Sequence, residues 1–167
     1  LLEALFNAGE SQYALDLITN DTKRGWLNML RVGATMTTEA WDEYYKPNLT
    51  WNHAWGASPA NIIVRKLFGI EPLEAGFSSF VLKPQPGSLK DLQIKAPTIR
   101  GSISCSLHVE DAQWNLHVSV PGNTTGYLVL PNPNKILVND VSVIVENTVD
   151  KGIRLPAGEY EIICSLN

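Results

Sequence analysis

The interval between apolar residues changes near residue 80, and that change confines the chain to a helical part followed by a stranded one. Before it, Leu1 and Leu5, then Tyr13 and Leu17, recur four residues apart. That interval stacks side chains on one face of an α-helix. Asn7-Ala8-Gly9 interrupts the series and predicts a break between two helices. A further helix is expected over 58–68: Ser58 caps it, Pro59 takes its first position, and Ile62, Ile63, Lys66 and Leu67 continue it. Gly69 then ends it in the left-handed conformation, with Pro72 just beyond.

After residue 80 the interval becomes two. Ile103, Cys105, Leu107 and Val109 alternate with Ser102, Ser104, Ser106 and His108. Trp114, Leu116, Val118 and Val120 alternate with Asn115, His117 and Ser119. A turn at Asp111-Ala112 joins the runs into an antiparallel hairpin with one buried face. Further short strands are expected over 127–130, 135–138, 141–145 and 160–166, a spacing that suits a β-sandwich or barrel. His108 and His117 fall on the outward face and, as a pair alone, are expected to hold no metal. Cys105 and Cys164 are expected to face the core, being too few for a disulfide scaffold.

Charge and hydropathy exclude several roles. Thirteen Lys plus Arg against seventeen Asp plus Glu give a net charge of −4. A nucleic-acid module would show a basic stripe instead, and nothing here draws the chain to an anionic membrane. Apolar runs such as Ile62-Ile63-Val64 are far shorter than a bilayer span. At 44% hydrophobic and 18% charged residues, the chain has the means to build a core. It opens Leu1-Leu2-Glu3-Ala4-Leu5-Phe6, without an initiator Met and inside a helix face, which predicts the end of a longer polypeptide.

Eleven of the fourteen aromatic residues precede residue 81. The densest stretch, 26–56, holds Trp26, Trp41, Tyr44, Tyr45, Trp51 and Trp55 with Glu39, Asp42, Glu43 and His53. Flat rings with a polar handle suit the faces of sugars. Carboxylates among them suit acid–base work on a glycosidic bond. The same residues admit a plainer account, in which the rings fill the space between helices. Glu39, after Thr35-Met36-Thr37-Thr38, would then begin a helix whose face it shares with Asp42 and Glu43. His53 would be a hydrogen-bonded structural residue. The residues alone leave both accounts open.

The run Gly33-Ala34-Thr35-Met36-Thr37-Thr38-Glu39-Ala40-Trp41-Asp42, followed by Trp51-Asn52-His53-Ala54-Trp55-Gly56, resembles the C-terminal part of bacterial α-L-rhamnosidases, inverting enzymes of glycoside hydrolase family 78. The resemblance begins at Leu1-Leu2-Glu3-Ala4-Leu5-Phe6-Asn7-Ala8-Gly9. It runs on through Leu67-Phe68-Gly69-Ile70, Lys83-Pro84-Gln85-Pro86-Gly87 and Arg100-Gly101-Ser102-Ile103 to Val120-Pro121-Gly122-Asn123-Thr124-Thr125, and weakens after about residue 131. It implies an α + β multidomain fragment: residues 1–76 as the C-terminal helices of an (α/α)6 catalytic barrel, and 77–167 as an antiparallel β-sandwich. Glu39 resembles the general base that activates water, and His53 a ligand of rhamnose hydroxyls. Trp41, Asn52 and Trp55 are expected to bind substrate beside them. The resemblance implies a rhamnose-containing glycoside or polysaccharide as substrate, no cofactor or metal, and an upstream remainder of the same polypeptide carrying the general acid. Thr38 is a departure, since many members carry an aromatic before the Glu.

Two other readings stand beside this one. Another six-hairpin-barrel glycosidase is the nearest rival among enzymes. A non-catalytic β-sandwich, binding carbohydrate or only supporting the barrel, is the alternative from outside catalysis; fold by itself supplies no site.

Overall fold

A computed structural model of the chain describes residues 1–143 and 152–166. They form two compact units, 1–63 and 64–167. The first contains α1 (Leu2–Asn7), α2 (Ser11–Ile18), α3 (Trp26–Arg31), a 3-10 turn (Ala54–Ala57) and α4 (Ser58–Ile62). The two expected N-terminal helices form, and the break between them falls where Gly9 adopts a φ of +81°. Their buried face is not the one that the four-residue series predicts. Leu2 and Phe6 are buried on α1 and Ala14 and Leu15 on α2, whereas Leu1 is 86% exposed and Tyr13 is exposed. Phe6 is the largest apolar side chain of α1, and burying it with Leu2 four residues earlier removes more surface from water than the Leu1 series would.

The expected helix over 58–68 starts in place but differs at both ends. The 3-10 turn puts Ala57, not Ser58, at the cap position, so Ser58 lies within the first helical turn beside Pro59. After Ile62 the helix widens into a π-helical turn, Ile63–Leu67, and stops before Gly69. Gly69 has a φ of +68°, and a Cβ there would lie 2.0 Å from the Lys83 carbonyl oxygen. Glycine is therefore required twice over: for the left-handed backbone and for the hydrogen bond from Lys83 N to its carbonyl at 3.0 Å. Lys66 is buried, and its charge is met by Glu71 at 3.1 Å.

The second unit holds ten strands among the described residues. They are β1 (Ile70–Pro72), β2 (Ser79–Leu82), β3 (Asp91–Thr98), β4 (Gly101–Glu110), β5 (Gln113–Val120), β6 (Thr125–Leu128), β7 (Pro133–Val138), β8 (Val141–Val143), β9 (Ile153–Leu155) and β10 (Gly158–Leu166). Four make one sheet, in the order β1-β2-β6-β9, and six make another, β3-β4-β5-β10-β7-β8. The expected hairpin is β4–β5, with Glu110 opposite Gln113 and Asp111 left-handed at φ 51°. Pro72 and Pro97 both fall on edge strands, where a missing N–H is tolerated. The strand expected over 141–145 is seen as β8; positions 144 and 145 lie outside the described residues. β1, β2, β3 and β9 were not anticipated. Nor is the pairing wholly antiparallel: β2 and β6 run parallel, Ser79 opposite Thr125 through Leu82 opposite Leu128.

Alternation gives this unit its core. Ile103, Cys105 and Leu107 on β4 are buried with Trp114, Leu116, Val118 and Val120 on β5, and with Ile162 and Cys164 on β10. Fully burying one such Leu or Ile stabilises by about 1.5–3 kcal/mol. Both cysteines are free thiols facing the core as expected, Cys105 opposite Val118 and Cys164 opposite Trp114. Burial pushes the Cys105 thiol up to about 12 and that of Cys164 up to about 11. The nucleophile is the thiolate, so neither should react with a chromogenic disulfide reagent at pH 8 in the native protein. Both should react at once in denaturant, and a titration before and after unfolding checks it.

Candidate active-site cleft

Between α3 and the 3-10 turn the chain has no helix or strand, so the expected helix beginning at Glu39 does not form. Backbone hydrogen bonds hold the segment instead. His53 N donates to Thr37 O at 2.8 Å, and Glu39 N donates to Thr50 O at 2.9 Å. Thr37 Oγ1 adds a bond to His53 O at 3.0 Å. These contacts set 37–39 beside 50–53 in an irregular antiparallel pairing. Gly56 belongs to the same arrangement: a Cβ there would come 2.7 Å from Thr38 O and 2.9 Å from Thr37 Cβ.

The intervening residues return through two turns. Asp42 organises the first, accepting Tyr44 N on Oδ1 at 2.9 Å and Tyr45 N on its carbonyl at 3.1 Å. Leu49 N closes the second onto Lys46 O at 3.0 Å, with Pro47 at the position that proline presets in such turns. Leu49 is buried and anchors the loop. Asn28, buried on α3, fixes the start of the first turn by donating to Trp41 O at 3.1 Å and Asp42 Oδ2 at 2.8 Å.

The result is a cleft of about 690 Å³ whose lining includes Glu39, Trp41, His53, Trp55, Arg24 and Tyr45. Trp26 and Trp41 meet edge to face at 5.0 Å, and Trp26 Nε1 donates to Gly56 O at 2.6 Å. His53 and Trp55 meet edge to face at 5.6 Å. The Arg24 guanidinium lies 5.4 Å from the centre of the Tyr45 ring. Trp55 is 86% exposed and Tyr44 is exposed, so these two do not fill a core. Glu39, Trp41, His53 and Trp55 thus share one cleft, while Asn52 is exposed and is not among its lining residues.

Glu39 accepts two hydrogen bonds, one on each oxygen. The Lys46 ammonium holds Oε1, and Thr50 N reaches Oε2 at 3.1 Å. Lys46 first, then the Thr50 N–H and the nearby His53, hold the carboxyl below its usual range. An ionised carboxylate has four lone-pair sites, so two remain for a water or a hydroxyl. A carboxylate anchored in this way, open to an aromatic-lined cleft, can take a proton or orient a sugar hydroxyl.

The sequence matches the family described as bacterial alpha-L-rhamnosidase 6 hairpin glycosidase domain over residues 1–67, and the bacterial alpha-L-rhamnosidase C-terminal domain over 69–144. The chain belongs to the bacterial α-L-rhamnosidase family. The α-L-rhamnosidase of Formosa agariphila is 29% identical over 143 residues, covering 80% of this chain and 15% of that protein. That of Alteromonas sp. is 24% identical, covering 96% of this chain and 18% of the relative. The chain therefore spans less than a fifth of the length of either. Among solved structures, α-L-rhamnosidase from Dictyoglumus thermophilum shares the fold with a TM-score of 0.82 at 20% identity, over 98% of this chain and 20% of that one. The Streptomyces avermitilis α-L-rhamnosidase complexed with L-rhamnose gives 0.81 at 22% identity, over 98% and 17%.

Arg24, Asn28, Lys46 and Thr50 are cleft or support residues that the sequence did not single out. Only Pro47, marking a turn beside Lys46, hinted at the return of the chain. His108 and His117 lie elsewhere, exposed on the stranded unit as expected: His108 Nδ1 pairs with Asp91 Oδ1 at 2.6 Å, and His117 sits 3.6 Å from Glu159 and Glu161. Among the described residues no group of three His, Cys, Asp or Glu is placed to hold a metal, and no helix is long and apolar enough to cross a membrane.

The Gly56 contact yields a test. Gly56→Ala drives a Cβ into backbone that cannot give, and should cost about 1–3 kcal/mol, the usual penalty of overpacking. Gly122→Ala, with nothing within 4 Å of its Cβ, should change stability by under about 0.5 kcal/mol. Chemical denaturation of the two variants checks the contrast.

Proposed function

We propose that the chain is the C-terminal portion of a longer inverting α-L-rhamnosidase, one that removes terminal α-L-rhamnose from glycosides or polysaccharides. Residues 1–76 supply the last helices of its (α/α)6 barrel, and 77–167 an accessory β-sandwich. The observation that carries the reading is the anchored Glu39 carboxylate facing His53, Trp41 and Trp55 across one cleft, in a stretch matched to the family's glycosidase domain. Large apolar side chains left open on the helical unit, Leu1, Leu30, Met36 and Trp55, suit a piece of a larger barrel. On the stranded unit the only Trp, Trp114, is buried, which favours support of the barrel over sugar binding.

Inversion needs two carboxyls roughly 6.5–9.5 Å apart with a water between the sugar and the base. In this reading Glu39 takes the proton from that water as its oxygen attacks the anomeric carbon. A general acid from the upstream polypeptide protonates the departing oxygen. His53 binds rhamnose hydroxyls, with Trp41 and Trp55 flanking the ring. One carboxyl completes only half of the reaction, so the 167-residue chain alone should not hydrolyse an aryl α-L-rhamnoside.

In the complete enzyme, Glu39→Ala should lower turnover by ~10²–10⁴-fold, the range of acid–base groups. Azide needs no base and fits the vacated space. It should restore turnover of an activated aryl rhamnoside and give a rhamnosyl azide of inverted configuration, identified by NMR. A Glu39→Ala enzyme that keeps most of its rate while folded would sink the assignment. Because Glu39 is held ionised below its usual range, activity should persist to correspondingly low pH and fall as the carboxylate is protonated, which a pH–rate profile reads directly.

A further inference from the structure

Lys46 is the strongest contact of Glu39, yet seven residues separate them and no regular element connects them. The chain reaches this contact by construction. Asn28 pins Asp42 to α3, Asp42 organises the turn through Tyr45, and the Pro47 turn brings Thr50 back to Glu39. Lys46 and Thr50 then hold opposite oxygens of one carboxylate, and the Glu39 N–H to Thr50 O bond ties the backbone beside it. A carboxylate held at a single oxygen can swivel about its last torsion; one held at both cannot.

We propose that Lys46 is a positioning residue for Glu39, clamping its carboxylate with the Thr50 N–H so that the remaining lone pairs face the cleft. The inference rests on the reading of Glu39 as the general base and adds to it the group that aims that base. Lys46 acts through Glu39 and does not itself meet the substrate. Its charge also favours the ionised carboxylate, in the same sense as the shift described above. The other charged or titratable groups lining the cleft are Arg24, His53 and Tyr45, and a change at Lys46 leaves all three in place.

The test uses the complete enzyme with Lys46→Met, which keeps the length of the stem and removes the ammonium, and Lys46→Arg, which keeps a charged donor. With an aryl rhamnoside, Lys46→Met should lower kcat by ~10- to 100-fold, the loss expected when a reacting group is slightly misplaced, with KM little changed. The acidic limb of its pH–rate profile should move to higher pH, because the carboxylate loses the contact that favours ionisation. Lys46→Arg should return the limb towards that of the wild type. In the Glu39→Ala background, Lys46→Met should leave the azide-dependent rate unchanged, since a residue acting only through Glu39 is silent once Glu39 is gone.

A Lys46→Met enzyme with the wild-type kcat and acidic limb would overturn the proposal. So would an equal loss in both backgrounds, which would mark a purely structural role; this comparison holds even if the variant is less stable. Failure of the wider reading looks different: Glu39→Ala would itself stay active or gain nothing from azide.

Discussion

Two backbone hydrogen bonds, His53 to Thr37 and Glu39 to Thr50, carry the helical unit's most unusual feature. They close a long stretch with no helix or strand of its own. Such segments are uncommon in compact domains unless they serve a function, because each ordered residue costs about 1–2 kcal/mol of backbone entropy. The cost is offset by a few buried anchors. Leu49 and Thr38 are buried, and Asn28 satisfies both a carbonyl and a carboxylate from inside α3. With that pairing in place, the directions of Glu39, Trp41 and His53 are all set by one local geometry.

The two units hold together in different ways. The stranded unit buries an alternating set of side chains and keeps Pro72 and Pro97 on edge strands, so its own sequence explains its stability. The helical unit spends its large aromatics differently. Trp26 and Trp41 lock against each other, while Trp55 and Tyr44 are turned outward. Rings held open to water in this way are poor stabilisers and good surfaces for sugar faces.

Legibility in the sequence followed how local each determinant is. The β4–β5 hairpin could be read because alternation and a two-residue turn need no distant partner. The end of the 58–67 helix could be read because Gly69 carries its own backbone signal. The helix expected at Glu39 failed for the opposite reason. A Thr run before an acid looks like a helix start, but Thr37 and Thr38 are committed to a segment that returns from residues 50–56. Lys46 was invisible because two turns, not a periodic spacing, bring it to Glu39. β9 is three residues long, and the parallel β2–β6 pair joins positions more than forty residues apart, so neither leaves a local trace. Glu39 and His53 stood out in an aromatic-rich stretch and took their roles from resemblance, whereas the cleft around them came from contacts that no spacing encodes.

The position of β10 has a consequence for how the protein is made. It lies between β5 and β7, yet it is the last strand described. Until residues 158–166 leave the ribosome, the six-stranded sheet exists as a three-stranded piece and a two-stranded piece, each with an open edge. Unpaired edges recruit other strands, and here both would be exposed on the nascent chain at once. The six-stranded sheet thus closes only once β10 has been made, and a frameshift that spared the whole cleft but lost these nine residues would still release a polypeptide prone to self-association.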